Sequence, residues 1–208
     1  TAFYSGNLML KRFDLGQVLN KEETFQKIYL NGEIKGHGLE LNNATFHLTS
    51  DIDTLGINGY NYSNIHTNGD LANEYYEGEL EVKDPNLTFN GQVKIDIRSN
   101  VDRINITACL DSLRLKPLGF SDKNIFMSSH INIDIKGFDI DSLKGFVNLK
   151  SFKFQLDENR LELDSVNFLS FIVAGQRVIT LDTDGLTAEA KGDFKNSTVL
   201  SKIKQLNT

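Results

Sequence analysis

Two carboxylate pairs are the first residues in this sequence whose type and spacing could do chemistry. Asp51 and Asp53 stand two positions apart, and so do Asp182 and Asp184, a spacing that could serve a divalent cation or acid–base catalysis. The second pair precedes Gly185 as in the start of a calcium loop, but the later ligands and closing glutamate of such a loop are missing. Turn formation, in which aspartates bond to nearby backbone, is the favoured interpretation of both pairs.

The other nucleophiles and metal ligands are scattered along the chain. The histidines show no ligand spacing and are expected at ordinary surface or edge positions: His37, His47, His66 and His130. Ser142 and Ser170 lie in no nucleophile-elbow motif. Cys109 follows the pattern of a strand and is expected to be a small buried residue. No glycine-rich phosphate loop precedes a helix, and we therefore predict a non-catalytic protein without metal or cofactor.

The composition is that of a folded protein without a charge-driven preference for nucleic acid. The chain has 208 residues, of which 39% are hydrophobic and 24% charged, and a formal net charge of −6. It has no run of four basic residues, which argues against nucleic acid or an anionic bilayer surface as an electrostatic partner. The single cysteine excludes an internal disulfide and a cysteine-based zinc site.

No signal peptide or membrane-spanning apolar run is visible in the sequence. The first residues already alternate between apolar and polar positions, as in the middle of a strand pattern. We therefore expect residues 1–208 to be a single elongated segment excised from a longer chain.

The stretch from Lys83 to Arg98 shows the strand pattern most clearly. Asp84, Pro85 and Asn86 predict a turn. After this turn every second position is apolar or glycine and the positions between are polar, so one face of the strand is apolar throughout. Gly91 falls on the apolar side without a change of phase, which predicts a glycine inside the strand rather than in a hairpin turn.

The same alternation recurs along most of the chain and predicts roughly fourteen strands. Short helices are predicted behind the capping residue Asp14, at 139–143 and at 196–206. Nearly every strand is apolar on one face only, and the helices are too few to cover so large a sheet. The predicted fold is therefore all-β, a long, strongly curved antiparallel sheet that forms an open half-barrel with an apolar concave face.

Several segments carry a family resemblance: Gly6-x-Leu8 with Phe13–Leu19, Gly32–Leu39 in the form G-x-Φ-x-G-x-G-Φ, Asn58–Ile65, Asn68-Gly69, Glu77-Gly78-x-Leu80, Asp84-Pro85-Asn86 and Leu181–Phe194. They resemble proteins of the AsmA/TamB-like family, and those from Asn58 to Asn86 resemble the C-terminal region of TamB proteins of Bacteroidetes. Together they span most of the chain.

The resemblance implies a β-taco, which is a tapered half-barrel folded along its length around a hydrophobic groove. It also implies a periplasmic location, as part of a protein anchored in the inner membrane and reaching the outer membrane. Phospholipid transport to the outer membrane and outer-membrane biogenesis are the implied functions. The implied protein partner is an outer-membrane protein of the BamA/TamA type.

The apolar strand face is the candidate binding site, with phospholipid acyl chains as its ligand. Such a face binds by area, at roughly 0.8 kcal/mol for each CH₂ removed from water. The candidate groove residues are Ile34, Leu48, Leu80, Phe89, Val93, Ile95, Ile106, Ile133, Leu149, Phe154 and Phe168. An ordinary closed core explains the same pattern and stays open as the alternative for each of them.

A second function class is a structural or adhesive surface module with a closed core, acting as a rigid spacer or a carbohydrate binder. Exposed apolar surface distinguishes the two classes, because the groove requires it and the spacer does not. A carbohydrate binder should expose aromatic platforms, and the chain has no Trp. An exposed groove would also favour self-association.

Four tyrosines, Tyr60, Tyr62, Tyr75 and Tyr76, are clustered in the sequence. They could form a protein-interaction patch on the polar side of the sheet. Aromatic residues in strands more often serve sheet packing, and that interpretation stays open beside the first.

Overall fold

The computed structural model describes residues 3–19, 21–38, 45–96, 98, 102–137, 141 and 143–193. Within these residues the elements, in chain order, are β1 Phe3–Asp14, α1 Leu15–Leu19, β2 Phe25–His37, β3 Thr45–Ile57, β4 Tyr60–Ala72, β5 Tyr75–Asp84, β6 Leu87–Asp96, β7 Arg103–Arg114, β8 Ile125–Lys136, β9 Lys144–Leu156, β10 Asn159–Val173, β11 Gln176–Thr183 and β12 Thr187–Gly192.

The twelve described strands form one antiparallel sheet in which every strand pairs with the next one in the sequence. The order runs from β1 at one edge to β12 at the other, and the sheet does not close into a barrel. Among the described elements, the substantial contacts join consecutive strands, with α1 contacting β2 in addition. The prediction of an all-β antiparallel sheet is confirmed.

The local signals in the sequence have the predicted effects. Asp84 begins the turn between β5 and β6, where its Oδ1 accepts a hydrogen bond of 2.8 Å from the Asn86 amide. Gly91 lies inside β6 and pairs with Ala108 of β7, as the unbroken alternation predicted. Asp14 caps α1, because its Oδ1 accepts a hydrogen bond of 3.2 Å from the Gln17 amide.

The two other predicted helices cannot be compared with described structure. The prediction at 139–143 lies largely outside the described residues, and the prediction at 196–206 lies wholly outside them.

Roughly fourteen strands were predicted, and the structure describes twelve. Two of the predicted strand boundaries fall inside strands that are continuous in the structure, β3 and β10. In β3 the apolar phase changes between Ile52 and Leu55, where the register with β2 shifts, and the strand continues. In β10 the phase changes between Leu163 and Val166, opposite Ser151, which has a φ of 51°. Each phase change is an irregularity inside a strand, which the sequence pattern alone could not tell from a strand boundary.

These irregularities form a line across the sheet, here called the bulge line. Register shifts occur in the pairings of β1 with β2, β2 with β3, β6 with β7, β7 with β8 and β8 with β9. Arg12, Asn64 and Ser151 have positive φ at corresponding levels of β1, β4 and β9. A bulge bends its own strand and increases the local twist, and the bulge line is where these strands depart from regular pairing.

A cluster of buried apolar side chains lies on one face of the sheet, with members on β2 to β5 and partly buried residues of β6 packed against it. The buried members are Ile28, Leu30, Ile52, Tyr62, Ile65 and Val82, joined by Leu118 from the loop after β7. Leu118 is only 2% exposed, which makes this loop a local cover over that part of the sheet.

Candidate functional site

The cross-strand register separates one apolar face of the sheet from one polar face. Residues paired directly in an antiparallel sheet point to the same side, so the pairings trace rows across the strands. One row crosses all twelve strands: Gly6, Ile34, Leu48, Gly69, Gly78, Val93, Ile106, Ile133, Val147, Phe168, Leu181 and Ala188. It contains only apolar residues and glycine, and we call the side it lies on the apolar face.

All eleven candidate groove residues lie on this apolar face. Six belong to the row just described, and the others stand in rows beside it, since Leu80 pairs with Gly91, Ile95 with Ile104 and Leu149 with Ile131. Phe89 pairs with Val82, and Phe154 pairs with Met127 in the part of the sheet beyond the bulge line. Val93 is buried and the other ten are half-buried. The alternation therefore placed these side chains on a common surface.

Glycines let the strands approach closely on the apolar face. Gly69 of β4 faces Gly78 of β5, and a methyl group on Gly78 would lie 2.5 Å from the Gly69 Cα. A methyl group on Gly91 would collide with the Cβ of Ala108 on β7. Gly69, Gly78 and Gly91 are thus at positions on the apolar face where a side chain does not fit without a shift of the backbone.

One end of the apolar face is held by a polar network around Asp84. This residue is 3% exposed, and its carboxylate accepts hydrogen bonds from the Tyr60 hydroxyl at 2.7 Å and from the Ser63 amide and hydroxyl at 3.0 Å. The Asn86 amide donates to it as well, and the Asn86 side chain donates to the Tyr60 oxygen at 2.9 Å. The network ties the β5–β6 turn to β4, whose described pairing with β5 ends at Ile65.

The charge state of Asp84 follows from this network. Burial raises the pKa of its carboxyl, but the hydrogen bonds from Asn86, Tyr60 and Ser63 together outweigh burial and hold that pKa below its ordinary value. Burial and the hydrogen bond to Asp84 raise the pKa of Tyr60. Asp84 is thus an ionised residue with a structural role, and both of its carboxylate oxygens accept hydrogen bonds from neighbouring residues.

Polar contacts also close the opposite end of the apolar face. Ser170 of β10 is fully buried and donates to the Leu143 carbonyl at 3.0 Å. Arg177 of β11 is buried beside it, and its guanidinium donates to the Leu143 carbonyl at 3.0 Å and the Asp141 carbonyl at 2.5 Å. No sequence pattern indicates this role of Arg177, which depends on the contact of its side chain with the carbonyls of residues 141 and 143.

The polar face carries cross-strand ion pairs. Lys94 and Glu77 lie opposite each other, with 2.5 Å between the lysine Nζ and the glutamate Oε1. Arg103 donates hydrogen bonds to the two carboxylate oxygens of Asp134 through its Nε and Nη2. The Arg103 guanidinium lowers the pKa of Asp134. These pairs fix neighbouring strands to one another on a solvated surface, where each contributes little on its own.

The candidate carboxylate pairs lie in separate parts of the sheet, and Asp51, Asp182 and Asp184 each form a hydrogen bond with a neighbouring strand or turn. Asp51 is hydrogen-bonded to His66 at 2.7 Å on the polar face, away from the second pair. Asp182 accepts from the Thr187 hydroxyl at 2.6 Å, and Asp184 accepts from the Ser165 amide at 3.1 Å. Within the part of the chain that the structure describes, no group of three or more His, Cys, Asp or Glu side chains could hold a metal ion.

The prediction that Cys109 is buried is wrong. It is only half-buried and lies on the polar face, where it pairs with Asn90 on one side and His130 on the other. Its neighbours in sequence, Ala108 and Leu110, are the residues that point to the apolar face. The alternation contained this information, because Cys109 stands out of phase with both.

The four tyrosines do not form one patch on the polar side. Tyr62 is buried in the core, and its ring packs edge to face against Tyr60 with 4.8 Å between centroids. Tyr76 pairs with Ile95 on the apolar face, while Tyr75 lies on the polar face beneath the Arg98 guanidinium. The tyrosines mainly serve packing and the Asp84 network.

Comparison of the chain with protein-family models, with curated proteins and with solved structures returned no match. Of the helices in the described residues, none is long and apolar enough to cross a membrane.

Proposed function

We propose that this chain is a non-catalytic, lipid-binding segment of a TamB/AsmA-like protein, in which the apolar face of the sheet forms a groove for acyl chains. The observation that carries the proposal is the unbroken row of apolar residues and glycines across all twelve described strands. A continuous apolar surface of this kind suits a long, flexible hydrocarbon, which is recognised by area rather than by individual hydrogen bonds.

Burial within a single sheet supports curvature toward the apolar face. A flat single layer would leave both faces accessible to water, yet Val82 is only 4% exposed and packs in one cluster with residues from β2 to β4. The close approach of Gly69 and Gly78 on that same side is the contact expected where a sheet bends toward its apolar face.

The half-buried residues of β7 to β10 are the part of the groove proposed to contact lipid. Ile106, Ile133, Leu149 and Phe168 lie side by side on neighbouring strands and keep part of their surface accessible. Covering that surface with an acyl chain would release free energy in proportion to the area removed from water.

The cellular setting of the proposal rests on the sequence resemblance. It places the segment in the periplasm, within a protein anchored in the inner membrane and reaching the outer membrane. Phospholipid transport to the outer membrane and an outer-membrane protein of the BamA/TamA type as partner belong to the same proposal.

The direct test is lipid binding by the 208-residue chain. Native mass spectrometry and lipid extraction of protein purified from bacterial cells should show bound phospholipid, and a fluorescent fatty acid should bind in solution. The double variant Ile133→Asp with Phe168→Asp places two charges on the apolar face and should weaken fatty-acid binding at least about tenfold, which corresponds to 1.4 kcal/mol.

The matched control is Asn132→Asp with Asn167→Asp, which adds the same charge to the same two strands on the polar face. It should bind fatty acid like the unchanged protein, with circular dichroism confirming that both variants are folded. Lipid-free protein that takes up no fatty acid would overturn the groove and favour the closed spacer.

A further inference from the structure

The side chain of Tyr76 covers the place where two glycines are neighbours in the apolar row that runs from Gly6 to Ala188. Gly69 on β4 pairs with Gly78 on β5, so the row has no side chains of its own at this point. A methyl group added to Gly69 would lie 2.9 Å from the Tyr76 Cε2, and one added to Gly78 would lie 2.8 Å from the Tyr76 hydroxyl oxygen. The Tyr76 ring therefore occupies the space above both glycines.

The Tyr76 side chain is held at both of its ends. Its backbone on β5 pairs with Leu71 on β4 and with Ile95 on β6. At the other end, its hydroxyl oxygen lies 2.6 Å from the Oγ1 of Thr67, which is buried and donates a hydrogen bond of 3.1 Å to the Glu79 carbonyl. The Thr67 oxygen thus accepts a hydrogen bond from Tyr76, and this bond fixes the position of the ring.

The ring stands between two parts of the row that differ in burial. On one side of it the row continues with Leu48 and Ile34, beside the buried cluster of β2 to β5. On the other side the row continues with Val93 and then with Ile106 and Ile133, on the strands that lead to the proposed lipid contacts. An acyl chain that lies along the row from β10 toward β4 therefore meets the ring after it has passed Val93.

We propose that the Tyr76 side chain ends the acyl-chain site and thereby sets the chain length that the groove prefers. The inference rests on the proposed function, because it requires an acyl chain on the apolar face. Without the ring, the glycine pair would offer a floor free of side chains, over which hydrocarbon could extend toward Leu48. Displacing the ring instead would break its hydrogen bond to the buried Thr67 hydroxyl, which makes the ring a firmer barrier than an aliphatic side chain.

The test is the chain-length preference of the 208-residue protein, measured by displacing a bound fluorescent fatty acid with lauric acid or with stearic acid. Tyr76→Ala should raise the affinity for stearic acid relative to lauric acid by at least about fourfold, which is the factor that one further CH₂ removed from water supplies. Tyr76→Phe keeps the ring and should retain most of the original preference.

The matched control is Tyr75→Ala, which removes the same type of side chain from the adjacent position on the polar face. It should leave the ratio of the two affinities unchanged. A ring that only packs against the glycines would give a different result, since its removal would weaken the binding of both fatty acids by the same factor.

A second measurement uses the unchanged protein and does not depend on the folding of a variant. A fatty acid with a photoreactive diazirine at its methyl end should form adducts on β5 to β10, and mass spectrometry of the peptides should find none on β2 to β4. Adducts at Ile34 or Leu48 would overturn the proposal. If circular dichroism shows that Tyr76→Ala is unfolded, the positions of these adducts decide.

Failure of this inference can be told apart from failure of the groove itself. If the unchanged protein binds no fatty acid, both proposals are overturned. If it binds fatty acid and folded Tyr76→Ala keeps the original ratio of stearic to lauric affinity, the groove stands and the role of Tyr76 is overturned.

Discussion

The β2–β6 region and the β8–β12 region share one sequence pattern but differ in burial. In the first region the apolar face is packed, with Ile28, Ile52, Ile65 and Val82 in one buried cluster. In the second region the same face is formed mainly by half-buried side chains, and several apolar residues of β10 are exposed.

The difference arises from features that alternation does not encode. The β2–β6 region has the loop residue Leu118 as a cover, the close pair Gly69 and Gly78, and the Asp84 network at its end. The β8–β12 region has polar closure at Ser170 and Arg177 but retains apolar surface between its ends. The first region stabilises the fold, and the second contains β8 to β10, which with β7 are the strands proposed to contact the ligand.

The largest expected effect comes from truncating a core side chain in the packed region. Ile65→Ala removes a buried side chain and should lower the free energy of unfolding by about 2 to 4 kcal/mol. Ile133→Ala, the same change at a half-buried position of β8, should cost about 1 kcal/mol because the site is already partly open to water. Urea unfolding measures both, and equal losses would remove the distinction between the regions.

The second comparison sets a buried carboxylate against a more exposed one. Asp84→Ala leaves the Tyr60 hydroxyl and the Ser63 and Asn86 amides without their acceptor and should cost about 1 to 3 kcal/mol. Asp134→Ala breaks a surface pair with Arg103 and should cost less than about 1 kcal/mol. A larger loss for Asp134 in thermal or urea unfolding would contradict the role given to the Asp84 network.

The Asp84 network also predicts a pH dependence. Because the pKa of Asp84 is lowered by folding, its contribution is fully present above the ordinary aspartate pKa, near about 4, and is lost as the pH falls through the lower folded-state pKa. The difference in unfolding free energy between the unchanged protein and Asp84→Asn should therefore be constant near neutral pH and shrink in acid. A difference that grows below about pH 4 would show the opposite linkage.

The glycine contacts give a smaller effect. Gly69→Ala places a methyl group 2.8 Å from the Glu77 carbonyl oxygen and 2.9 Å from the Gly78 Cα, and should cost about 1 to 2 kcal/mol through strain on the backbone. Gly6→Ala in β1 meets no atom within 4 Å and should be nearly neutral. Chemical unfolding of the two variants tests whether close approach, rather than glycine content, matters.

The smallest expected effect is the slowing of amide hydrogen exchange by a bound fatty acid. A fatty acid at about ten times its dissociation constant should stabilise the bound state by about 1.4 kcal/mol. We expect slowed amide exchange chiefly in β7 to β10, with little change in β2 to β4, where the face is already packed. Uniform slowing across the sheet would mean that the ligand does not distinguish the two regions.

Local chemistry made much of the sheet predictable. The turn at Asp84, the strand glycine Gly91 and the cap at Asp14 each depend on a few neighbouring residues, and all three are confirmed. The common face of the groove candidates follows from the period of two in a strand. Curvature of the sheet and lipid binding stay predictions.

Contacts between distant segments were not predictable in the same way. Leu118 lies in the loop after β7, and only its place against the β2–β6 core shows why it is buried. Arg177 and Ser170 acquire their partners from a segment about 30 residues earlier in the chain. The error at Cys109 was different, since its phase relative to Ala108 and Leu110 already assigned it to the polar face.

The strictly consecutive strand order has a consequence for assembly and length. Each of the twelve described strands pairs only with strands next to it in the chain, so pairing among them requires no distant segment to arrive first, and the sheet can be built progressively from either edge. The same arrangement allows a hairpin to be gained or lost at an edge without disturbing the register of the remaining strands. A sheet of this type is extensible by units of two strands.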